Sequence, residues 1–184
     1  MGRLIALLRG INVGGNKKVP MAELRELMAG LGHAEVRTYV QSGNVVFTAA
    51  EADADAAVER IAEGIEAAIE QRFGFGSRIT IRTRDELAAV IAADPFKGVA
   101  DRDRAYHVFF LAEAVSGAGL DELDAGSYLP EQWALRGREL YVWTPDGIGT
   151  SRLGKALTER RIGTRATARN WRTVKTLLEM ADAG

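Results

Sequence analysis

The chain has no cysteine, four prolines, two histidines and an aromatic content of only 7% in 184 residues. Without cysteine there are no disulfides, thiolate nucleophiles or thiolate metal sites, and the composition suits a reducing compartment. The only histidines are His33 and His107, and nothing in the sequence places either beside a serine nucleophile. No apolar run approaches the roughly 20 residues of a membrane span, and Met1 to Leu8 is too short for a secretory signal. The expectation is a cytoplasmic protein without a membrane partner. Net charge is also scarce, at −1, which removes bulk attraction to nucleic acid and leaves only local patches.

What is present is a hydrophobic content of 47%, a charged content of 27%, and enough length for one core or two small ones. Leu4 to Leu8 reads as a central strand. Met21, Leu24, Met28 and Leu31 recur at helical spacing between Pro20 and Gly32. Val36 to Val40 and Val45 to Thr48 are β-rich runs around Gln41-Ser42-Gly43-Asn44, which is hairpin chemistry. Val58, Ile61, Ile65 and Ile69 mark a second amphipathic helix, and Ser77 to Arg82 a closing strand. Thr83 and Glu86 form a capping box ahead of a helix carrying Leu87, Val90 and Ile91.

Asp94-Pro95 ends that helix, and 94–104 reads as a linker between an N-terminal subdomain (1–93) and a C-terminal one (105–184). In the second half, Tyr106 to Leu111 is a strand, and a short helix falls within Gly117 to Asp124. Trp133 to Leu135 and Leu140 to Trp143 form a hairpin, and a helix carries Leu153 and Leu157. Arg165 to Arg169 reads as an edge strand. Trp171, Val174, Leu178 and Ala181 line a terminal helix capped by Asn170.

The β-α-β-β-α-β order of the first half is ferredoxin-like. In that topology the Gln41 to Asn44 turn lies at the same sheet end as Arg9-Gly10-Ile11-Asn12-Val13-Gly14-Gly15-Asn16-Lys17-Lys18. Glycines, amides and cations between a strand and a helix suit an anion, because backbone N–H groups can approach it closely; the alternative is that the glycines satisfy tight turns while the lysines sit in water. The loop matches neither the P-loop nor the G-x-G-x-x-G pattern. Arg9 and Asn12 are the first polar candidates, with Gly14, Gly15 and Lys17 beside them. Gln41, Ser42 and Asn44 join from the hairpin. A catalytic Ser42 would need a base that the sequence does not supply.

Residues 151–176 carry eight basic side chains against Glu159 alone, a net +7 that includes Lys155, Arg160, Arg161 and Arg169. Glu51 to Glu70 offsets them with seven acids. The two segments are read as balancing each other, with phosphate binding as the alternative. Lys155, Arg169 and Asn170 therefore complete the list of candidate ligand contacts. The aromatic residues of the second half (Tyr106, Trp133, Tyr141 and Trp143) are expected to pack rather than stack bases. Asp101-x-Asp103 is a poor cation pair, so no metal and no cofactor are expected.

Leu7 to Gly15 with Pro20 to Leu24, Thr38 to Phe47, and Thr167 to Val174 together resemble the three signatures of a bacterial domain-of-unknown-function family, DUF1697. The resemblance implies an α+β fold of two ferredoxin-like (βαββαβ) subdomains with antiparallel sheets and a terminal helix, in a cytosolic protein. It supplies no activity. The functional expectation is binding of an anionic small molecule, such as a nucleotide or phosphorylated metabolite, at 10–18 and 41–44. Nucleic-acid backbone is a weaker partner. An enzyme acting on such a substrate and a self-associating module are the alternatives, and the oligomeric state stays open.

Overall fold

The computed structural model describes residues 2–50 and 55–183, so Glu51 and Asp53 of the acidic run lie outside them. The fold is α+β, with two four-stranded antiparallel sheets and helices. The chain divides into two compact units, Met1–Ala89 with Thr176–Gly184, and Val90–Lys175.

The first unit has β1 (Gly2–Leu8), α1 (Met21–Gly30), β2 (Ala34–Tyr39), β3 (Asn44–Ala49), α2 (Asp55–Phe73) and β4 (Ile79–Thr83). Its strand order is β2-β3-β1-β4. β1 is central, and Leu4 to Leu8 are all fully buried, which is why its sequence is continuously apolar rather than alternating. Leu4, Ala6 and Leu8 join Val45, Phe47 and Ile81 in one core with Leu24 and Met28 of α1 and Ile65 and Ile69 of α2. Each of these side chains larger than Ala6 contributes about 1.5–3 kcal/mol by leaving water.

Two boundaries differ from the sequence reading. Leu31 is the C-cap of α1 and is exposed, so the apolar stripe of that helix stops at Met28. Val40 leaves β2 with a φ of 49° and also faces solvent.

The pairing register fixes what lies at the end of β1. Leu7 sits opposite Asn44 and Leu8 opposite Ile79. The end of β1, the β2–β3 turn and the start of β4 therefore share one end of the sheet.

Thr83 and Glu86 cap α3 (Arg84–Ala92) reciprocally, at 2.7 and 3.1 Å. The division between the units falls inside this helix, earlier than the expected 94–104. That segment is fastened within the second unit. Asp94 accepts from the Phe96 N–H at 2.9 Å and from the Tyr106 hydroxyl at 2.7 Å, and Phe96 is buried edge-on against Tyr106. A turn-rich, charged stretch reads as a linker when its two anchors are not visible.

The second unit has β5 (Tyr106–Leu111), α4 (Ala118–Asp121), α5 (Ala125–Tyr128), β6 (Gln132–Arg136), β7 (Glu139–Trp143), α6 (Arg152–Ala156), α7 (Glu159–Ile162) and β8 (Ala166–Asn170), and the helix α8 (Trp171–Asp182) begins in it. The order β6-β7-β5-β8 leaves β8 at an edge, as expected. Tyr106 stacks on Trp171 with ring centres 4.7 Å apart, and Tyr141 donates to the Val90 carbonyl at 2.8 Å. Tyr106, Tyr141 and Trp143 are buried core residues, and only Trp133 of the four aromatics is half-exposed. Asn170 caps α8 by accepting from the Thr173 N–H at 2.9 Å. The buried apolar positions of α8 are Trp171, Val174, Leu177 and Ala181, so Leu177 takes the place expected for Leu178. The last turns of α8 count with the first unit, where Arg37 donates to the Met180 carbonyl and Arg84 pairs with Asp182 at 2.7 Å.

Candidate functional site

The loop after β1 is a small hairpin. Asn12 N–H donates to the Lys17 carbonyl at 3.1 Å and Asn16 N–H to the Val13 carbonyl at 3.2 Å. Gly14 and Gly15 occupy the tip with φ of 61° and 80°. Positive φ at both central residues is the requirement of a type I′ turn. These glycines serve the turn, and among the loop's N–H groups those of Asn12 and Asn16 are already bonded within it. Turn chemistry, one of the two sequence readings of the Gly-Gly pair, accounts for its conformation.

Asn12 itself is at φ 55° and its amide is engaged on both ends. Its nitrogen donates to the Val19 carbonyl at 3.0 Å and to the Gln41 carbonyl at 2.8 Å, while its oxygen accepts from the Val19 N–H at 2.9 Å. The two N–H donors of the side chain are therefore used internally. Asn12 closes the loop and joins it to the β2–β3 turn. Leu8 N–H adds a bond to the Gly43 carbonyl at 2.8 Å. The convergence of the two turns, expected from topology, is direct contact.

Within the β2–β3 turn, Asn44 is fully buried, and its amide donates to the Tyr39 carbonyl at 3.0 Å and to Ser42 Oγ at 2.9 Å. Asn44, expected from the sequence as a ligand contact, thus spends its amide donors inside the turn. Gln41 and Ser42 are exposed. Burial against Phe47, whose ring centre is 4.7 Å away, lowers the pKa of His33, and His107 belongs to the second unit.

A third partner of the loop is the turn between α2 and β4, which sequence reasoning missed. Arg9 N–H donates to the Arg78 carbonyl at 2.9 Å, and Ser77 Oγ donates to the Arg9 carbonyl at 3.0 Å. Lys17 Nζ donates to the Gly76 carbonyl at 2.9 Å and lies 5.8 Å from the centre of the Phe75 ring. The available signal was the antiparallel closure of β4 on β1, which places Gly76 to Arg78 beside Arg9.

Between these parts lies a cleft of about 600 Å³, lined by Arg9, Gly10 and Lys17, by Gly76, Ser77 and Arg78, and by Glu63, Glu66, Ala67 and Glu70 of α2. Arg9, Lys17 and Arg78 supply three positive charges and the helix three negative ones. Glu66 is bonded to Arg78 at 2.8 Å and to the Ile79 N–H at 2.8 Å, which pins α2 to the start of β4. The exposed side chains of Glu63 and Glu70 have no ion-pair partner among the described residues.

Lys155, Arg169 and Asn170 fall in the second unit. Lys155 is exposed on α6. Arg169 donates to the Ala168 carbonyl at 2.8 Å, and burial pushes its guanidinium down to about 10. Asn170 is the α8 cap already described. The basic segment is partly neutralised locally: Arg161 bonds the Gly119 carbonyl and Glu122, and Lys175 pairs with Asp103 at 2.5 Å. Asp101 pairs with Arg102. Among the described residues, no cluster of three or more His, Asp or Glu could hold a metal ion, and no helix is long and apolar enough to cross a membrane.

A family described as a protein of unknown function, DUF1697, matches residues 1–141. The chain belongs to that family. The matched span contains the whole Arg9–Lys18 loop, the Gln41–Asn44 turn and the cleft, and ends in β7, before the third signature at Thr167. A solved structure, described as a conserved bacterial protein SP0830 from Streptococcus pneumoniae, superposes with a TM-score of 0.75 at 23% identity, covering 98% of each chain. That likeness concerns the fold. No curated protein matches the chain.

Proposed function

We propose that this DUF1697 protein is a small-molecule-binding protein of the cytoplasm whose ligand carries an anionic group. The anion sits in the cleft between the Arg9–Lys18 loop and the Gly76–Arg78 turn. The observation that supports this is the convergence of Arg9, Lys17 and Arg78 on a cleft of about 600 Å³, a volume that suits a metabolite. Arg9 and Lys17 contact the anion, and Gln41 and Ser42 extend the rim. Asn12 positions the loop without touching the ligand. Lack of cysteine suits a reducing cytoplasm.

The test is thermal denaturation with inorganic phosphate, nucleotides and sugar phosphates. A ligand at one hundred times its Kd should stabilise the protein by about 2.7 kcal/mol. Arg9→Ala with Lys17→Ala should abolish the shift, and Lys155→Ala should keep it. A shift that survives the double substitution places the site elsewhere.

A further inference from the structure

We infer that the ligand is zwitterionic, carrying an ammonium group as well as its anion. The inference rests on the anion-binding reading of the same cleft and is carried by its other wall. Glu63, Glu66 and Glu70 are spaced three and four residues apart, so one face of α2 presents all three carboxylates to the cleft. They cover about 10 Å of helix length at 1.5 Å per residue.

Glu66 is held by Arg78 and the Ile79 N–H, whereas Glu63 and Glu70 have no ion-pair partner among the described residues. A ligand that is only an anion would gain from Arg9 and Lys17 and be repelled by this wall. A ligand with an amine at the far end pairs with both walls, and its balanced charge matches a lining whose three cations and three carboxylates sum to zero. The carboxylates thus select among anions by discriminating against those without an amine. An amino acid bearing a second anionic group and an amino-alkyl phosphate are the chemical class that fits.

The experiment is titration calorimetry with phosphoethanolamine, glycerol phosphate, inorganic phosphate and ethanolamine. The wild-type chain is compared with Glu63→Gln/Glu70→Gln and with Arg9→Ala/Lys17→Ala. The exposed glutamates are replaced by near-isosteres, and an unchanged melting temperature confirms that the first variant is folded. The expected result is at least tenfold tighter binding of phosphoethanolamine than of glycerol phosphate. That preference should fall below threefold in Glu63→Gln/Glu70→Gln, with glycerol phosphate binding retained or improved.

Equal affinity for the two phosphates, indifferent to Glu63 and Glu70, overturns the zwitterion and leaves the anion site standing. No binding of any phosphate, or binding indifferent to Arg9 and Lys17, overturns the anion site itself. Ethanolamine binding as tightly as phosphoethanolamine identifies a cation site and overturns both.

Discussion

The Asn12 amide donates to the Gln41 carbonyl across 29 residues at 2.8 Å, and the same side chain brackets Val19 at 2.9 and 3.0 Å. One residue therefore closes the loop after β1 and holds it against the β2–β3 turn. Asn12→Ala removes three hydrogen bonds and places a Cβ residue without a local amide at positive φ. The expected cost is about 2–3 kcal/mol. Asn12→Gly loses the same bonds but relieves the backbone, so it should be milder by about 1 kcal/mol. Urea midpoints of the two variants, measured side by side, check the order. Equal costs would mean that the φ of 55° carries no strain.

Gly43 and Gly14 both have positive φ but differ in what surrounds them. A Cβ at Gly43 would lie 2.6 Å from Leu8 Cβ and 2.8 Å from Ile11 Cδ1, whereas one at Gly14 meets nothing within 4 Å. Gly43→Ala should cost about 3 kcal/mol or more, through backbone conformation and overpacking together. Gly14→Ala should cost only about 1 kcal/mol, from conformation alone. Hydrogen exchange at Leu8 N–H, which bonds the Gly43 carbonyl, should quicken in the first variant and stay unchanged in the second.

Tyr106 ties the 94–104 segment to the second unit. Tyr106→Phe keeps the stack on Trp171 and loses only the hydroxyl bond to Asp94. A loss of about 1.5 kcal/mol is expected. Proteolysis should then open at Lys97 or Arg102, both exposed. Cleavage no faster than in the parent chain would mean that Phe96 holds the segment alone.

His107 makes stability depend on pH. Among the described residues its buried Nδ1 has no hydrogen bond of good geometry, opposite Val142 and Asn170, and burial, outweighing the pull of the Ala105 backbone, lowers its pKa from the ordinary 6.5. The unfolded chain therefore binds a proton that the folded chain refuses. Stability is full above pH 6.5 and falls as the pH drops below it. His33 is shifted the same way and adds to the slope. His107→Phe should flatten the dependence between pH 5 and 7 but leave the His33 part. Urea titrations at three pH values measure it, and an unchanged slope would rule His107 out as the source.

Features decided by neighbours in sequence were readable in advance. The Thr83–Glu86 box, the Gln41–Asn44 hairpin and the Asn170 cap each depend on residues within three or four positions. The role of Gly14-Gly15 was equally local but had two physical readings, an anion cradle or a tight turn, and only the Asn16–Val13 bond separates them. The rest was settled across long sequence distances. Nothing near Asn12 announces that its amide is used by Val19 and Gln41. Nothing near Asp94 announces Tyr106. From sequence, the α2 carboxylates read as balancing the basic 151–176 segment, because their place beside Arg9 and Lys17 follows from how α2 and β4 return to β1.

The first unit takes its residues from both ends of the chain, since Thr176–Gly184 groups with Met1–Ala89. As the protein is synthesised, residues 2–89 emerge early but lack the bonds that Arg37 and Arg84 make to Met180 and Asp182. The whole second unit is translated before those partners exist. Synthesis of the unit that holds the candidate cleft thus starts before the second unit and is completed only after it, and a nonsense codon after Lys175 would leave it incomplete while sparing every residue of the cleft.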